Sequence, residues 1–154
     1  MDLPSQLLAQ PDALLLDLTA TSREGAISAL HAQLAKSPAV KDAPLLLHGL
    51  LERAMLAPVC VAPDVALPHA RSDAVARVVM GVARVTPPGV GFDGEHPAVR
   101  LIFMVATPKQ QVEEYLLAVA AITRLLKTDG VRAGLLNART AAEFTALLGR
   151  GAAT

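Results

Sequence analysis

The sequence contains four histidines, and one of them lies in a setting suited to chemistry. His69 directly follows the apolar run Val65–Leu67 and Pro68, and a polar turn begins two residues later at Arg71. Proline fixes the backbone before the histidine, and open α/β sheets carry their sites at strand ends. An imidazole has an ordinary pKa of about 6.5, so a large fraction is neutral and nucleophilic at neutral pH. His69 is therefore the first candidate for a reactive group, and the alternative is that its ring only packs at the strand end.

The other histidines lie where ordinary packing or solvation explains them. His31 and His48 fall among apolar residues of two predicted helices, where histidine is commonly half-buried. His96 lies in a polar turn between Glu95 and Pro97, which favours a solvated loop residue. None of the three is predicted to act in the chemistry.

Three further candidates for chemistry are weaker. Arg53 ends an apolar helix, from which its guanidinium could simply reach water. Cys60 lies nine positions before His69 with apolar neighbours, so we expect an inert thiol. His69, His96 and Asp64 could meet after folding, but no metal-ligand spacing supports a site there. We predict no metal and no cofactor.

Composition excludes several classes of protein. The 14 basic and 14 acidic residues balance, no basic run occurs, and aromatic residues make up only 3%, so nucleic acid is not an expected partner. The longest run without a charged residue is 25–35, far short of the roughly 20 residues that a membrane helix needs. No secretory signal is visible, and we expect a soluble, cytoplasmic protein. Its length predicts a single domain, 1–154.

Helical and strand periodicities alternate along the chain, which predicts a mixed α/β fold. The spacing of Thr21 and Glu24 is that of a capping box. On one side of the helix predicted at 112–127 we place Leu116, Val119, Ala120, Thr123 and Leu126. The predicted strands are Ala13–Leu18, Val75–Val85 and a central one, Val99–Val105; the predicted helices are Thr21–Lys36, Asp42–Ala57, Val112–Lys127, Val131–Leu136 and Thr140–Leu148.

Four segments, in one order, resemble the enzyme IIA domains of the bacterial sugar phosphotransferase system, mannitol/fructose class. Glu52–Met55 resembles the Glu-Arg-Glu segment of that family, and Val65–Arg71 resembles its Ile-Ala-Ile-Pro-His-Gly segment, with the family's 16-residue spacing between arginine and histidine. Phe92–Phe103 resembles its Phe-Asp, Pro-Val and apolar-strand segment, and Tyr115–Leu126 its long late helix.

This resemblance implies a fold, a function and partners. The fold would be a single mixed β-sheet flanked by helices on both faces. His69 would accept a phosphoryl group from a histidine-containing phosphocarrier protein and pass it to a IIB domain or a regulatory target, without a cofactor. Arg53 would stabilise the phosphate, and Tyr115 would stand where the family has a second histidine. A free-standing, nitrogen-regulatory type is expected, and the apolar excess permits a homodimer.

Two alternatives belong to other classes. The first is a regulatory binding module of the same fold that no longer transfers phosphate. It is favoured by Asp64, which would repel a phosphate if it faced the site, and by Tyr115, because a phenol carries no positive charge at neutral pH. The second is a small metal-dependent hydrolase.

Overall fold

A computed structural model describes residues 2–152 of the chain, and this range contains six helices and six strands. The helices are α1 (Leu3–Ala9), α2 (Arg23–Leu34), α3 (Ala43–Leu56), α4 (Val112–Lys127), α5 (Val131–Asn137) and α6 (Ala141–Ala152). The strands are β1 (Ala13–Leu18), β2 (Cys60–Ala62), β3 (Val65–Ala66), β4 (His69–Arg71), β5 (Val79–Val85) and β6 (Leu101–Thr107). None of the helices within the described range combines the length and hydropathy that a bilayer crossing requires.

The strands form one mixed sheet in the order β1-β5-β6-β3-β2, with β4 also paired to β6. β5 runs antiparallel to β6, whereas β3 and β4 run parallel to it. All seven residues of β6 are buried, as predicted for a central strand covered on both faces. The strand begins two residues later than predicted, because Val99 pairs instead with Val90 in an isolated bridge.

Helices cover both faces of this sheet, which confirms the predicted architecture. Ile102, Met104 and Ala106 of β6 pack under α2 and α3. The alternate residues of the same strand pack with α1, α4, α5 and α6 on the opposite face. Successive side chains of a strand point to opposite faces, so one aliphatic strand anchors two cores.

The helix starts follow from capping chemistry. Asp42 Oδ1 accepts a hydrogen bond from Leu45 N at 3.1 Å and starts α3, and Pro44 lies in the first turn, where its missing N–H costs nothing. At α2 the cap is Ser22, whose Oγ accepts from Gly25 N at 3.0 Å. The cap that we predicted at Thr21 is therefore one residue too early.

Two other sequence predictions are wrong. The strand expected from Val75 begins only at Val79, because Val75 pairs with Val40 of the α2–α3 connection in a single bridge. The buried face of α4 consists of Ala118, Ala121, Ile122 and Leu125. Leu116, which we expected on that face, is 58% exposed.

One extended segment carries His69 along the edge of β6. In both β3 and β4, each residue pairs with the β6 residue 36 positions later, so the two short strands share one register. Pro68 interrupts the ladder because it has no N–H, yet its carbonyl still accepts from Val105 N at 3.0 Å. His69 is thus the first residue of β4, opposite Val105 near the carboxyl end of β6.

Candidate functional site

The half-buried ring of His69 is held by the backbone of its own segment. Its Nδ1 lies 3.0 Å from the carbonyl oxygen of Leu67, two residues earlier. A carbonyl can only accept, so Nδ1 donates the proton in this hydrogen bond. In the neutral ring Nε2 therefore carries the lone pair, and it is the nitrogen that can act as a nucleophile.

The surroundings of His69 favour this neutral form. Burial lowers the pKa of His69, and the positive charges of Arg53 and Arg71 lower it further. The hydrogen bond to the Leu67 carbonyl acts in the opposite direction. The pKa remains below its ordinary value of 6.5, so the ring is neutral at pH 7.

A cleft of about 770 Å³ brings the predicted site residues together. His69, Arg53 from the last turns of α3 and Tyr115 from the first turn of α4 all line it. Within residues 2–152 the Arg53 side chain makes no hydrogen bond or ion pair. Its guanidinium is available to an anion in the cleft.

Tyr115 packs directly against His69. The two ring centroids are 5.0 Å apart and the planes are inclined by 37°. This distance is within the range of favourable aromatic pairs. Tyr115, which we expected near His69 from the resemblance, therefore packs against the His69 ring.

Two cations of this cleft were not predicted. Arg71 and Lys109 also line it, Lys109 with an ion pair of 3.8 Å to Asp73. Arg71 follows His69 by two positions on the same strand, so the period-two rule places both on one face and could have identified it. Lys109 lies in the turn between β6 and α4, and no local pattern relates it to His69.

Asp64 lies at the amino end of the extended segment that carries His69. The regulatory module without phosphotransfer was favoured by an Asp64 that faces the site, and the structure does not have this arrangement. Asp64 precedes Val65, which pairs with the first residue of β6, whereas His69 pairs with the fifth. At about 3.3 Å per residue, the two sites are more than 10 Å apart along the strand. The carboxylate forms an ion pair with Arg132 of α5. Asp64 therefore does not face the cleft.

The remaining histidines lie outside this cleft. His31 is buried, and its Nε2 donates to the Ala43 carbonyl at 2.9 Å, which joins α2 to the start of α3. His48 is exposed and lies 3.3 Å from Glu52. His96 is half-buried in its turn, where Nδ1 lies 2.7 Å from Asp93 Oδ1.

Cys60 is half-buried at the start of β2. Burial, with a smaller effect of the Asp93 charge, raises the pKa of the Cys60 thiol to about 11. The group is therefore a neutral thiol at pH 7, as expected for an unreactive cysteine. The metal-ligand set considered from the sequence does not form: across residues 2–152, the one converging group of three candidate ligands is Cys60, Asp93 and His96.

Sequence comparison identifies relatives of the chain. The family described as phosphoenolpyruvate-dependent sugar phosphotransferase system, EIIA 2, matches residues 7–150. The fructose-specific EIIA component of Haloferax volcanii is 34% identical over 121 residues, which are 77% of this chain and 77% of that protein. The 2-O-alpha-mannosyl-D-glycerate-specific EIIABC component of Escherichia coli is 29% identical over 143 residues. These cover 92% of this chain but only 22% of that longer relative.

Solved structures show the same fold. The IIA mannitol protein of Escherichia coli has a TM-score of 0.77 and 25% identity, with 89% of this chain and 96% of that one covered. The nitrogen regulatory protein IIA-Ntr of Neisseria meningitidis has a TM-score of 0.80 at 22% identity, covering 96% and 99%. The Escherichia coli IIA mannitol protein in complex with its phosphorylated IIB has a TM-score of 0.78 at 23% identity, covering 90% and 95%.

The family match extends over nearly the whole chain, and the fructose-specific relative is covered over most of its length. The chain therefore belongs to the EIIA 2 family of the phosphoenolpyruvate-dependent sugar phosphotransferase system, whose members carry phosphoryl groups.

Proposed function

We propose that His69 is the phosphoryl acceptor of this chain and that Nε2 forms the bond to phosphorus. The observation that carries the proposal is the hydrogen bond from His69 Nδ1 to the Leu67 carbonyl, in a cleft lined by cations. The bond leaves the lone pair on Nε2 and orients the ring, and the lowered pKa keeps that lone pair free of a proton at pH 7.

The reaction is an exchange of one phosphorus–nitrogen bond for another. Nε2 of His69 attacks the phosphorus of a donor phosphohistidine in line, and the electron pair of the breaking bond returns to the donor nitrogen. Positive charge develops on the His69 ring as the new bond forms. The Leu67 carbonyl stabilises this charge through Nδ1, where the proton stays.

The cations of the cleft stabilise the transferred group. A phosphoryl group on histidine brings about −1.5 to −2 charges. The free guanidinium of Arg53 suits two phosphate oxygens at once, and Arg71 and Lys109 add positive charge from the other sides of the cleft. Glu52 also lines the cleft, and its single carboxylate is outnumbered by these three cations.

The surroundings of the cleft suit protein partners. Leu56 and Leu116, which line it, are 74% and 58% exposed and form an apolar rim beside the reactive histidine. We propose a histidine-containing phosphocarrier protein as donor and a IIB domain or regulatory protein as acceptor, by analogy with the mannitol complex. In this account residues 1–154 act as one cytoplasmic domain, and a homodimer is compatible with it.

Tyr115 is the observation that favours a second function, a regulatory module that does not transfer phosphate. A phenol beside His69 offers one hydrogen bond but no charge to a phosphoryl group. The available Arg53 guanidinium and the remote position of Asp64 favour transfer over this alternative.

The test is phosphorylation by phosphoenolpyruvate, enzyme I and a histidine phosphocarrier, followed by intact mass measurement. We expect one acid-labile phosphoryl group on the wild-type protein and none on His69→Ala. His48→Gln, an exposed histidine outside the cleft, should be labelled like the wild type. A folded wild-type protein that several phosphocarriers leave unlabelled would instead establish the regulatory module.

A further inference from the structure

Three side chains of different chemistry converge beside a second cleft. A candidate ligand atom from each of Cys60, Asp93 and His96 lies within 4.8 Å of the other two. Asp93 and His96 line a cleft of about 500 Å³, and this cleft adjoins the one at His69, because Leu56 lines both. None of the three ligand candidates lines the cleft at His69.

The backbone holds two of these residues in a tight turn. His96 N donates to Asp93 O at 3.2 Å, and Phe92 N donates to His96 O at 2.9 Å. The buried ring of Phe92 anchors this turn to the core. Asp93 Oδ1 accepts from Glu95 N at 2.9 Å and lies 2.7 Å from His96 Nδ1, so carboxylate and imidazole have a fixed relative orientation.

The third residue comes from an edge strand. Cys60 begins β2, which pairs only with β3 among the strands of residues 2–152. Its half-buried thiol approaches the 93–96 turn from the sheet side, while Asp93 is exposed to solvent. The three residues are therefore covered by protein at Cys60 and open to solvent at Asp93, from where an ion can enter.

A thiolate, an imidazole and a carboxylate together form a ligand set typical of Zn²⁺ and related transition metals. Bond lengths of about 2.0–2.3 Å place the ligand atoms of a tetrahedral zinc roughly 3.3–3.8 Å apart. The ligand atoms lie within 4.8 Å of one another, and side-chain rotations that release the 2.7 Å contact between His96 and Asp93 bring them to that geometry. We propose that Cys60, Asp93 and His96 form a binding site for a zinc-type divalent cation, with a fourth position open to water or a ligand.

The cation also removes an electrostatic conflict within the cluster. Burial opposes thiolate formation at Cys60 and the Asp93 charge adds to this effect, whereas a bound dication stabilises both anionic groups. On binding, Cys60 releases its proton to solvent as the sulfur–metal bond forms. No other reactant is needed, and none of the three ligands belongs to the proposed phosphotransfer machinery.

The test uses Co²⁺ as a spectroscopic probe and Zn²⁺ as a competitor with the full-length protein. We expect one equivalent of Co²⁺ to produce a thiolate-to-cobalt charge-transfer band that Zn²⁺ abolishes. Cys60→Ser should remove the band, and Asp93→Asn or His96→Gln should weaken affinity at least about tenfold. Circular dichroism verifies folding, and the exposed turn variant Asp93→Asn provides the test if Cys60→Ser does not fold.

Two control variants separate this site from other histidines. His48→Gln and His69→Ala should retain the band, so loss of phosphotransfer and loss of metal binding are independent results. Absence of the charge-transfer band from the wild type would overturn the proposal. Zn²⁺ affinity that is unchanged in both Cys60→Ser and His96→Gln would do the same.

Discussion

His69, the proposed phosphoryl acceptor, has neighbours that act on different parts of its ring. The Leu67 carbonyl holds the proton on Nδ1 and Tyr115 packs against the ring, while burial, with a smaller effect of Arg53 and Arg71, lowers the pKa of His69. A neutral, oriented ring and a cleft with more cations than carboxylates suit the acceptance of a phosphoryl group, because phosphoryl transfer depends mainly on positioning and electrostatic stabilisation.

Arg53 should be the most important cation for this reaction. Arg53→Ala removes charge-assisted hydrogen bonds to phosphate of about 1.5–3 kcal/mol, which corresponds to roughly 10–150-fold in the transfer rate. Rapid-quench measurement of phosphorylation tests this expectation. Arg139→Ala, an exposed arginine on the α5–α6 connection, should transfer at the wild-type rate. Equal phosphotransfer rates for Arg53→Ala and Arg139→Ala would show that Arg53 does not stabilise the phosphoryl group.

Tyr115 should act through its ring rather than its hydroxyl. Tyr115→Phe keeps the packing on His69 and should transfer within about threefold of the wild-type rate, whereas Tyr115→Ala should lose about 2–12-fold, the value of an aromatic pair. The same rapid-quench assay distinguishes the two. A Phe variant as slow as the Ala variant would show that the phenol hydroxyl is the functional group.

At the level of elements, β3 and β4 pair with β6 in one continuous register. This register places Asp64 and His69, which are five positions apart in sequence, beside different ends of β6. Asp64 lies at the amino end of β6 with Arg132, and His69 lies near its carboxyl end, beside the start of α4. The ion pair ties the β2–β3 hairpin to α5, and neither Asp64 nor Arg132 lines the cleft at His69. Its role is therefore structural.

Asp64→Asn provides the corresponding prediction. Removal of this half-buried charge should lower the free energy of unfolding by up to about 1 kcal/mol, because the pair with Arg132 is partly solvated. Phosphotransfer should remain within twofold of wild type. Chemical denaturation and the transfer assay measure the two effects, and a clear acceleration of transfer would mean that Asp64 repels the phosphoryl group.

The sequence predicts most elements because caps and periodicity are local signals. Asp42 and the apolar spacing of α3 identify that helix, whereas α1 has only seven residues and too little periodicity to be recognised. The buried face of α4 was misassigned because apolar residues occupy both sides of the helix, and tertiary packing selects between them. His69, Arg53 and Tyr115 were predicted through the family spacing. The position of Asp64 depends on a strand register that no local pattern encodes.

On the scale of the whole molecule, two helical layers on one sheet keep titratable histidines in apolar surroundings. Burial lowers the pKa of His31, against its hydrogen bond to Ala43, and burial also lowers that of His69. In the unfolded chain both pKa values return to about 6.5. Between the pKa values of the two histidines in the folded protein and 6.5, the unfolded state binds more protons than the folded state. The free energy of unfolding therefore falls as pH falls through this interval.

We therefore expect the free energy of unfolding to decrease as pH falls through about 6.5 toward 5.5, and to be nearly constant above about 7.5. Urea unfolding at several pH values measures this slope. His31→Gln removes one of the two groups and should make the slope shallower. A free energy that rises as pH falls through this window would contradict the assigned pKa directions.

We propose that the phosphoryl group resides on Nε2 of His69. Nitrogen-resolved NMR of the phosphorylated, ¹⁵N-histidine-labelled protein tests this assignment most directly. We expect phosphorus coupling to the Nε2 of one histidine, and that signal should be absent from His69→Ala. The Nδ1 of the same ring should keep its proton and its hydrogen bond to the Leu67 carbonyl. Coupling to Nδ1 of His69, or to any ring nitrogen of His31, His48 or His96, would contradict the account.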